Sequence, residues 1–271
     1  MHTAVLSDIH GNPVALDAVL QDIADRGGVD EFWVLGDIVA LGHDPVAVLE
    51  RLAGLPKVRC VRGNTERYVC TGDRPPPTLE QARLDPDLLP TLVEVAGTFA
   101  WTQGMVTQAG WLEWLSALPV EFHTTLPDGS RVLCAHAGLG RDGGIGFQPE
   151  QSTADHQILL GECKADLVFV GHSHEPVDTQ VGHTHVVNVG CVSNPVPPDL
   201  RACYVMLEAN SEGHSLEHRR VDYDRQHAID ALERLCHPGR QFISEMLRGH
   251  IVLPVYRPSE EGPRGSREDQ Q

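Results

Sequence analysis

The sequence predicts an α/β fold whose first part is a parallel sheet. Over residues 3–61, short apolar runs alternate with segments of helical spacing, and each apolar run ends in a polar or glycine-containing loop. This alternation is typical of strand–helix–strand units with right-handed crossovers. The chain has 271 residues, of which 41% are hydrophobic and 22% charged, the balance of a soluble globular protein. A chain of this length can bury roughly 70–75% of its unfolded surface.

Five elements account for residues 3–61. Strands are predicted at 3–6, 32–35 and 57–61, and helices at 13–25 and 45–52. The second helix begins at Pro45, with Asp44 as its N-cap. In open sheets of this kind, ligands bind at the carboxyl ends of the strands. The polar residues at those ends are therefore the first candidates for a functional site.

Residues 71–118 break the alternation, and we expect them to form a small helical cap inserted into the domain. Pro75-Pro76-Pro77 predicts a stiff loop, and two helices are expected between residues 87 and 118. The apolar side chains of this segment are expected to form the core of the cap, with lining of a substrate pocket as the alternative. They include Phe99, Trp101, Trp111 and Trp114.

The second half of the sequence is rich in predicted strands. They are expected at residues 120–124, 131–135, 166–170, 184–189, 202–207 and 215–221, with helices at 153–160, 223–235 and 240–248. One domain is thus expected over residues 1–253. Residues 254–271 are dominated by Ser, Glu, Gly, Arg and Gln, and this composition predicts a disordered tail.

Charge and cysteine usage limit the partners and the compartment. The 21 Lys and Arg against 38 Asp and Glu give a net charge of −17, which argues against extended nucleic-acid binding and against an anionic membrane surface. We find no run of 18 apolar residues and no signal peptide, and thus expect no membrane span. The seven cysteines contain no Cys-x-x-Cys pair, so reduced thiols in a cytoplasmic protein are expected.

Polar clusters follow the apolar runs at five places, and the 15 histidines of the chain make them notable. A single Asp-x-His pair is a weak indication, and a lone strand-end histidine such as His136 is more often structural than a ligand. All five clusters in order predict one shared site. They are Asp8-Ile9-His10, Gly36-Asp37, Gly63-Asn64, Ala135-His136-Ala137 and Gly171-His172-Ser173-His174.

The donor types in these clusters indicate metal chemistry. Carboxylate oxygens, imidazole nitrogens and an amide oxygen suit borderline divalent ions such as Mn²⁺, Fe²⁺, Co²⁺, Ni²⁺ or Zn²⁺. No cysteine lies in the clusters, which argues against a closed structural zinc site. In a two-metal site one carboxylate must bridge ions about 3.5–4 Å apart, and Asp37 is the central candidate.

The motif order DxH, GD, GN, H and GHxH resembles the calcineurin-like metallophosphoesterases. Longer segments are similar to the bacterial phosphodiesterase-like branch of that superfamily, among them Val61-Arg62-Gly63-Asn64 and Asn188-Val189-Gly190-Cys191-Val192. The resemblance covers residues 1–250 and is specific for the superfamily but not for a substrate. It implies a four-layer α/β/β/α sandwich.

The resemblance also implies a role for each motif residue. The first of two divalent metal ions would take Asp8, His10, Asp37 and His174, and the second Asp37, Asn64, His136 and His172. A hydroxide between the ions would attack phosphorus, and Asn64 would orient a phosphoryl oxygen. Asp37, Asn64 and His136 are therefore also predicted as catalytic residues, and Mn²⁺ is the favoured metal, with Fe, Zn, Ni or Co as alternatives.

One departure from the family pattern bears on the substrate. Many members have a histidine directly after the GN asparagine as general acid, whereas this chain has Thr65 and then Glu66. A threonine hydroxyl is a poor proton donor near neutral pH. Relatives without that histidine are better suited to diesters than to alkyl monoesters. His43 is a candidate for part of the missing role, and a surface histidine near a helix start is the equally weighted alternative.

The predicted function is therefore a binuclear metal-dependent phosphodiesterase acting on a small phosphoester. The alternative is a phosphomonoesterase, including a protein phosphatase or a dinucleoside polyphosphate hydrolase. Residues 38–43 lack the arginine that protein phosphatases of the family carry there, which disfavours that form. A non-catalytic scaffold similar to the retromer subunit is less favoured because every ligand position is filled. A homo-oligomer is left open.

Overall fold

The architecture rests on two mixed five-stranded sheets. The computed structural model describes residues 1–250. The first sheet has the order β10-β9-β1-β2-β3 and the second the order β4-β5-β6-β8-β7. The strand bounds are β1 His2–Leu6, β2 Glu31–Val34, β3 Val58–Cys60, β4 Glu121–Thr125, β5 Arg131–Ala135, β6 Leu167–Val170, β7 Val177–Val181, β8 Thr184–Asn188, β9 Ala202–Asn210 and β10 Gly213–Val221.

Helices connect the strands and cover the outer faces of the sheets. Local sequence sets their ends: Asn12 caps α1 by accepting from the Ala15 N–H, and Asp44 caps α2 by accepting from the Ala47 N–H. The bounds are α1 Pro13–Asp25, α2 Pro45–Gly54, α3 Asn64–Thr71, α4 Leu79–Leu84, α5 Leu89–Gln108, α6 Leu112–Ser116, α7 Thr153–Leu160, α8 Arg225–Arg234 and α9 Arg240–Leu247, with a short 3₁₀ turn at Pro86–Leu88.

Three apolar clusters define the layers. The middle cluster joins Trp33 and Val205 of the first sheet to Phe169 and Val187 of the second, so the two sheets pack face to face. A second cluster lies between the first sheet and α1, α2 and the C-terminal helices, and a third lies between the second sheet and α7. The order of layers is therefore α/β/β/α, which confirms the predicted fold class.

Pairing within the sheets brings five strand ends to one edge. Strands β1, β2 and β3 are parallel neighbours, as are β5, β6 and β8. Because the two sheets are stacked, the carboxyl ends of β1, β2, β3, β5 and β6 meet across the sandwich. The loops that follow these strands carry the polar motifs of the sequence.

The structure adds elements that the sequence did not predict. Strand β7 reads VDTQV, too polar for a short buried strand, and it forms because the chain turns back through Gly182 to pair with β8. Helix α4 precedes the two helices expected in the 71–118 segment, and α3 begins at the GN motif itself. The predicted tail at residues 254–271 lies outside the described residues. No helix within residues 1–250 has the length and apolar character needed to cross a membrane.

Candidate metal centre

The structure brings all seven predicted metal-binding side chains together at this edge of the sandwich. The loop after β1 supplies two, those after β2, β3 and β5 supply one each, and the loop after β6 supplies two. Two groups of donors lie within 4.8 Å of one another: Asp8 with His10 and His174, and Asp8 with Asp37 and His136. Asn64 and His172 complete the set through contacts with His136.

The backbone at these loops adopts a conformation that is uncommon for residues with a side chain. Asp8, His10, Asp37, His172 and His174 all have positive φ, between 51° and 72°. Left-handed backbone in non-glycine residues costs about 1–3 kcal/mol each and concentrates at functional sites. The turns direct these short loops so that successive polar side chains face the same edge.

Two glycines allow the loops to approach each other closely. A Cβ at Gly63 would collide with the Asp37 carboxylate, and a Cβ at Gly171 would collide with Ser7 Oγ and Asp8 Oδ2. Each glycine therefore permits a neighbouring strand end to approach within contact distance of an acidic side chain.

The first set of donors contains two imidazoles whose nitrogens face each other. His10 Nδ1 lies 2.9 Å from the Ala40 carbonyl and His174 Nδ1 lies 2.7 Å from the Asn194 carbonyl. A carbonyl only accepts, so in each neutral ring the proton is on Nδ1 and Nε2 carries a lone pair. The two Nε2 atoms are 3.1 Å apart, and two lone pairs cannot form a hydrogen bond with each other. A cation between them resolves this contact.

A carboxylate oxygen points into the same set without a partner. Asp8 Oδ1 is buried and accepts no hydrogen bond from residues 1–250, although it lies 3.3 Å from His174 Nε2 and 3.7 Å from His10 Nε2. Buried carboxylate oxygens are normally satisfied. An unsatisfied one beside two imidazole lone pairs fits a divalent ion.

The second set repeats the arrangement with a different pair of imidazoles. His136 Nδ1 faces the Leu35 carbonyl at 2.6 Å and His172 Nε2 faces the Gly144 carbonyl at 2.9 Å. The remaining nitrogens, His136 Nε2 and His172 Nδ1, lie 3.2 Å apart, and Asn64 Oδ1 lies 3.1 Å from His136 Nε2. Three acceptors thus converge at a second candidate cation position.

Asp37 lies between the two sets and presents one oxygen to each. Its Oδ2 is 3.9 Å from His10 Nε2 in the first set, and its Oδ1 is 3.4 Å from His136 Nε2 in the second. This is the geometry that a bridging carboxylate requires. The donor set therefore fits divalent cations, with two candidate positions on either side of Asp37.

Burial and neighbouring charges shift the pKa values within the cluster. Burial opposes ionisation of Asp8, but His174 and the other imidazoles hold the pKa of that carboxyl well below its usual range. Burial likewise opposes protonation of His174, yet Asp8 raises the pKa of that imidazole above its usual value. Burial lowers the pKa of His10 to about 3 and that of His172 to about 4, which keeps both rings neutral as metal ligands must be.

Two residues directly after Asn64 hold the cluster in place, a role that the sequence did not reveal. Thr65 donates both its backbone N–H and its hydroxyl to Asp37 Oδ1, at 2.9 and 3.0 Å. Glu66 is fully buried and accepts from the backbone N–H groups of Asp37, Ile38, Val39 and Gly63, at 2.8–3.3 Å. Burial, with the Asp37 charge, raises the pKa of Glu66 to about 7.

His43 is not brought to the cluster. It is buried, and burial lowers its pKa to about 4. The neighbouring charged or titratable groups that also affect this pKa include Asp44, His227 and Arg234. Two of these belong to α8, so the ring lies on the α8 side of its loop. His43 is also absent from the walls of the cavity that contains the metal-binding residues. Nothing in this geometry supports the predicted catalytic role.

One cavity of about 650 Å³ opens over the cluster and extends towards the 71–118 segment. Asp142 ties two arginines at its wall: it accepts from Arg62 Nη2 at 2.8 Å and from Arg67 Nε at 3.0 Å. Arg62 is therefore held in an internal ion pair, and the same residue lines the cavity.

The family model for the calcineurin-like phosphoesterase superfamily domain matches residues 1–212. The chain belongs to this superfamily. The matched residues include strands β1 to β9 and therefore all seven residues of the cluster. Phosphoesterases of this superfamily use divalent metals, in agreement with the donor set.

Relatives agree with the superfamily assignment. The uncharacterized protein MJ0912 of Methanocaldococcus jannaschii is 28% identical over 246 residues, which is 84% of this chain and 90% of that protein. A symmetrical bis(5'-nucleosyl)-tetraphosphatase of Pectobacterium atrosepticum is 36% identical over 70 residues, 26% of this chain and 25% of that enzyme.

Two solved structures share the fold of this chain over most of its length. Hypothetical protein PH1004 from Pyrococcus horikoshii superposes with a TM-score of 0.76 at 20% identity, covering 93% of this chain and 99% of that one. A metallophosphoesterase from Sphaerobacter thermophilus gives 0.66 at 22% identity, covering 93% and 100%. The two structures share the fold over nearly the whole chain.

Proposed function

We propose that the protein is a binuclear metal-dependent phosphodiesterase that hydrolyses a small phosphoester in the cytoplasm. The observation that carries the proposal is the pair of facing lone-pair contacts, His10 with His174 and His136 with His172, on either side of Asp37. Such contacts are repulsive between neutral rings, and a divalent cation at each contact removes the repulsion. The free state of the cysteines in the described chain supports a reducing compartment.

Two divalent ions at these positions, with Mn²⁺ favoured, would activate water near neutral pH and neutralise charge on the phosphoryl oxygens. Residues of the chain orient the metal-binding donors and the phosphoryl group. Asn64 turns Oδ1 towards His136, and its Nδ2, which donates to no residue within 1–250, is left for a phosphoryl oxygen. Thr65 and Glu66 fix Asp37 and its loop, so the donors do not have to reorganise when a phosphoester binds.

The position after Asn64 supports a diester. The Thr65 hydroxyl is committed to Asp37 Oδ1, and is therefore not free to protonate a leaving oxygen. The positive charge that the cavity wall presents to a substrate is also partly neutralised, because Asp142 pairs with both Arg62 and Arg67. A monoanionic diester needs less positive charge from the protein than a dianionic monoester does.

Paired aryl substrates test the proposal. Protein loaded with Mn²⁺ is expected to hydrolyse bis(4-nitrophenyl) phosphate faster than 4-nitrophenyl phosphate, and a chelator is expected to abolish both activities. A higher kcat/KM for the monoester would overturn the diester assignment. Absence of hydrolysis of both, with metal bound, would overturn the enzymatic proposal.

The partial match to a symmetrical bis(5'-nucleosyl)-tetraphosphatase favours a second candidate, hydrolysis of dinucleoside polyphosphates. The cavity wall argues against it, since Glu94 adds a carboxylate to that wall and would oppose a second anionic nucleoside phosphate. Release of nucleotide from diadenosine tetraphosphate at a rate above that for the aryl diester would reverse this preference.

A further inference from the structure

We propose that the cap end of the cavity is a binding subsite for one uncharged ring of the substrate, of aryl or nucleobase type. This inference rests on the proposed function, because it assumes that the phosphoryl group occupies the metal end. The subsite, which we call the ring subsite, is formed by Tyr68, Val95, Phe99 and Phe242.

The ring subsite and the metal-binding cluster share one continuous space. The walls of the 650 Å³ cavity include both His10, Asp37 and His174 of the cluster and Phe99 and Phe242 of helices α5 and α9. Sites of roughly 300–1,000 Å³ hold ligands of drug or nucleotide size, whereas a phosphate group alone needs only a small part of such a volume. The remaining space is therefore available to a group attached to the phosphate.

The aromatic side chains are arranged as a stacking wall. The rings of Tyr68 and Phe99 meet edge to face, with centroids 5.5 Å apart and an interplanar angle of 82°. Tyr68, Val95 and Phe242 are only half-buried, so part of their apolar surface faces the cavity. Aromatic walls with such geometry bind a further ring by stacking and area burial, and they bind it better than a flexible chain of similar size.

The charges at the cap end select an uncharged group. Glu94 accepts the Phe242 N–H through Oε1 at 3.2 Å, which keeps a carboxylate beside the aromatic wall. The Arg67 guanidinium lies over the Tyr68 ring, 4.6 Å from its centroid, and the Asp142 carboxylate pairs with both Arg67 and Arg62. Arg74 lies over the Phe99 ring, 5.5 Å from its centroid, and donates to the Tyr68 and Asp73 carbonyls. A second anionic group would thus meet the Glu94 carboxylate and arginines that already have acceptors, whereas a neutral ring avoids that repulsion.

The wall is held in place by contacts between its elements. Gln103 of α5 donates to the Val69 carbonyl of α3 at 2.7 Å, and the Phe242 N–H joins α9 to α5 through Glu94. The three helices that supply the four side chains are therefore linked by hydrogen bonds. A preformed wall binds a ring without the cost of ordering its own side chains.

Phosphonates that differ in one substituent test the ring subsite. Methyl-, n-butyl- and phenylphosphonate carry the same anionic group, and calorimetry on the Mn²⁺-loaded full-length protein measures their affinities directly. We expect phenylphosphonate to bind about tenfold more tightly than methylphosphonate, equivalent to about 1.4 kcal/mol, and more tightly than butylphosphonate. Equal affinities for phenyl- and methylphosphonate would overturn the proposal, and equal affinities for phenyl- and butylphosphonate would overturn its ring specificity.

Two positions on α5 supply a matched pair of variants. Val95→Asp places a carboxylate in the ring subsite, whereas Val93→Asp makes the same change two residues away, where the side chain is 69% exposed and outside the cavity. Val95→Asp is expected to reduce phenylphosphonate affinity to that of methylphosphonate and to leave the latter unchanged. Val93→Asp is expected to change neither. Equal losses in both variants would overturn the subsite.

A second variant keeps the test decisive if Val95→Asp unfolds α5. Phe242→Ala removes an aromatic ring from α9 instead, and it is expected to reduce the preference for phenylphosphonate about threefold. Preference for phenylphosphonate without hydrolysis of aryl diesters would sustain the ring subsite and overturn the proposed activity. Hydrolysis without the preference would do the reverse, and failure of all three phosphonates to bind would overturn the ring subsite.

Discussion

The sheet edge and the 71–118 segment differ in the sequence distance of their contacts and in how much of their surface is buried. At the sheet edge, loops far apart in sequence meet in buried, left-handed turns, and Glu66 satisfies four backbone N–H groups there. The 71–118 segment is helical, local in sequence, and leaves large apolar side chains exposed, with Leu84 83% exposed. The difference indicates that the sheet edge fixes the chemistry, while the helical segment can vary and so sets substrate preference.

Removal of the bridging carboxylate is expected to give the largest loss of activity at the sheet edge. Asp37→Ala is expected to reduce kcat/KM for an aryl diester by about 1,000-fold or more, because both candidate cation positions lose a ligand. Circular dichroism is expected to show an intact fold. Asp178→Ala, which removes a carboxylate that is 53% exposed, serves as the control and is expected to retain full activity. Full activity of Asp37→Ala with added metal would refute the mechanism.

A Glu66 variant tests whether the metal-binding loops at the sheet edge depend on the buried side chain that accepts from their backbone N–H groups. Glu66→Gln leaves one acceptor oxygen and directs an NH₂ group at backbone donors, so a free-energy loss of about 2–4 kcal/mol in urea unfolding is expected. Mn²⁺ affinity is expected to fall with it, since Asp37 loses its fixed loop. Glu217→Gln on exposed β10 is the matched control. Unchanged stability in both variants would show that the buried carboxylate is dispensable.

The pH dependence of the metal-free protein tests how strongly its buried histidines resist protonation. Burial lowers the pKa values of His43 and His237 to about 4, so the unfolded chain binds protons first as the pH falls below 6.5. His10 and His172, whose pKa values burial also lowers, act in the same direction, so stability is expected to decline by at least about 2 kcal/mol between pH 6.5 and 4. Asp37 and Asp8 raise the pKa values of His136 and His174, which are protonated in both states over this window. Urea unfolding with a flat profile from pH 6.5 to 4 would contradict this.

The charge of the cavity wall gives the smallest predicted effect. Asp142→Ala frees Arg62 and Arg67, and we expect the KM for a dianionic aryl monoester to fall roughly threefold relative to the diester. Asp73→Ala releases only one exposed contact of Arg67 and is expected to leave the ratio unchanged. A lower KM for the diester alone in Asp142→Ala would show that the cavity wall does not distinguish substrates by their charge.

The sequence predicted the convergence of donors because each motif ends an apolar run and parallel strands share an edge. Asp8, Asp37 and Asn64 could be assigned on that basis alone. Thr65 and Glu66 could not, because their partners lie on loops whose mutual distance depends on sheet stacking. Nearness in sequence to Asp37 suggested a catalytic role for His43, but that residue does not line the cavity over the cluster.

The ring subsite was equally inaccessible to sequence reasoning. Tyr68 and Phe242 are 174 positions apart, and only the packing of α3, α5 and α9 brings them to one cavity. The alternative considered for the aromatic residues of 71–118 holds for Phe99, which is both buried and part of the cavity wall. Periodicity cannot distinguish these two environments, because both place the side chain on the inner face of a helix.

The most direct test of the metal centre is anomalous diffraction from crystals of the protein loaded with Mn²⁺. Two peaks are predicted, one between His10 and His174 and one between His136 and His172, with Asp37 in reach of both. Peaks elsewhere, or none at all while the imidazole nitrogens stay at their present distances, would contradict the account.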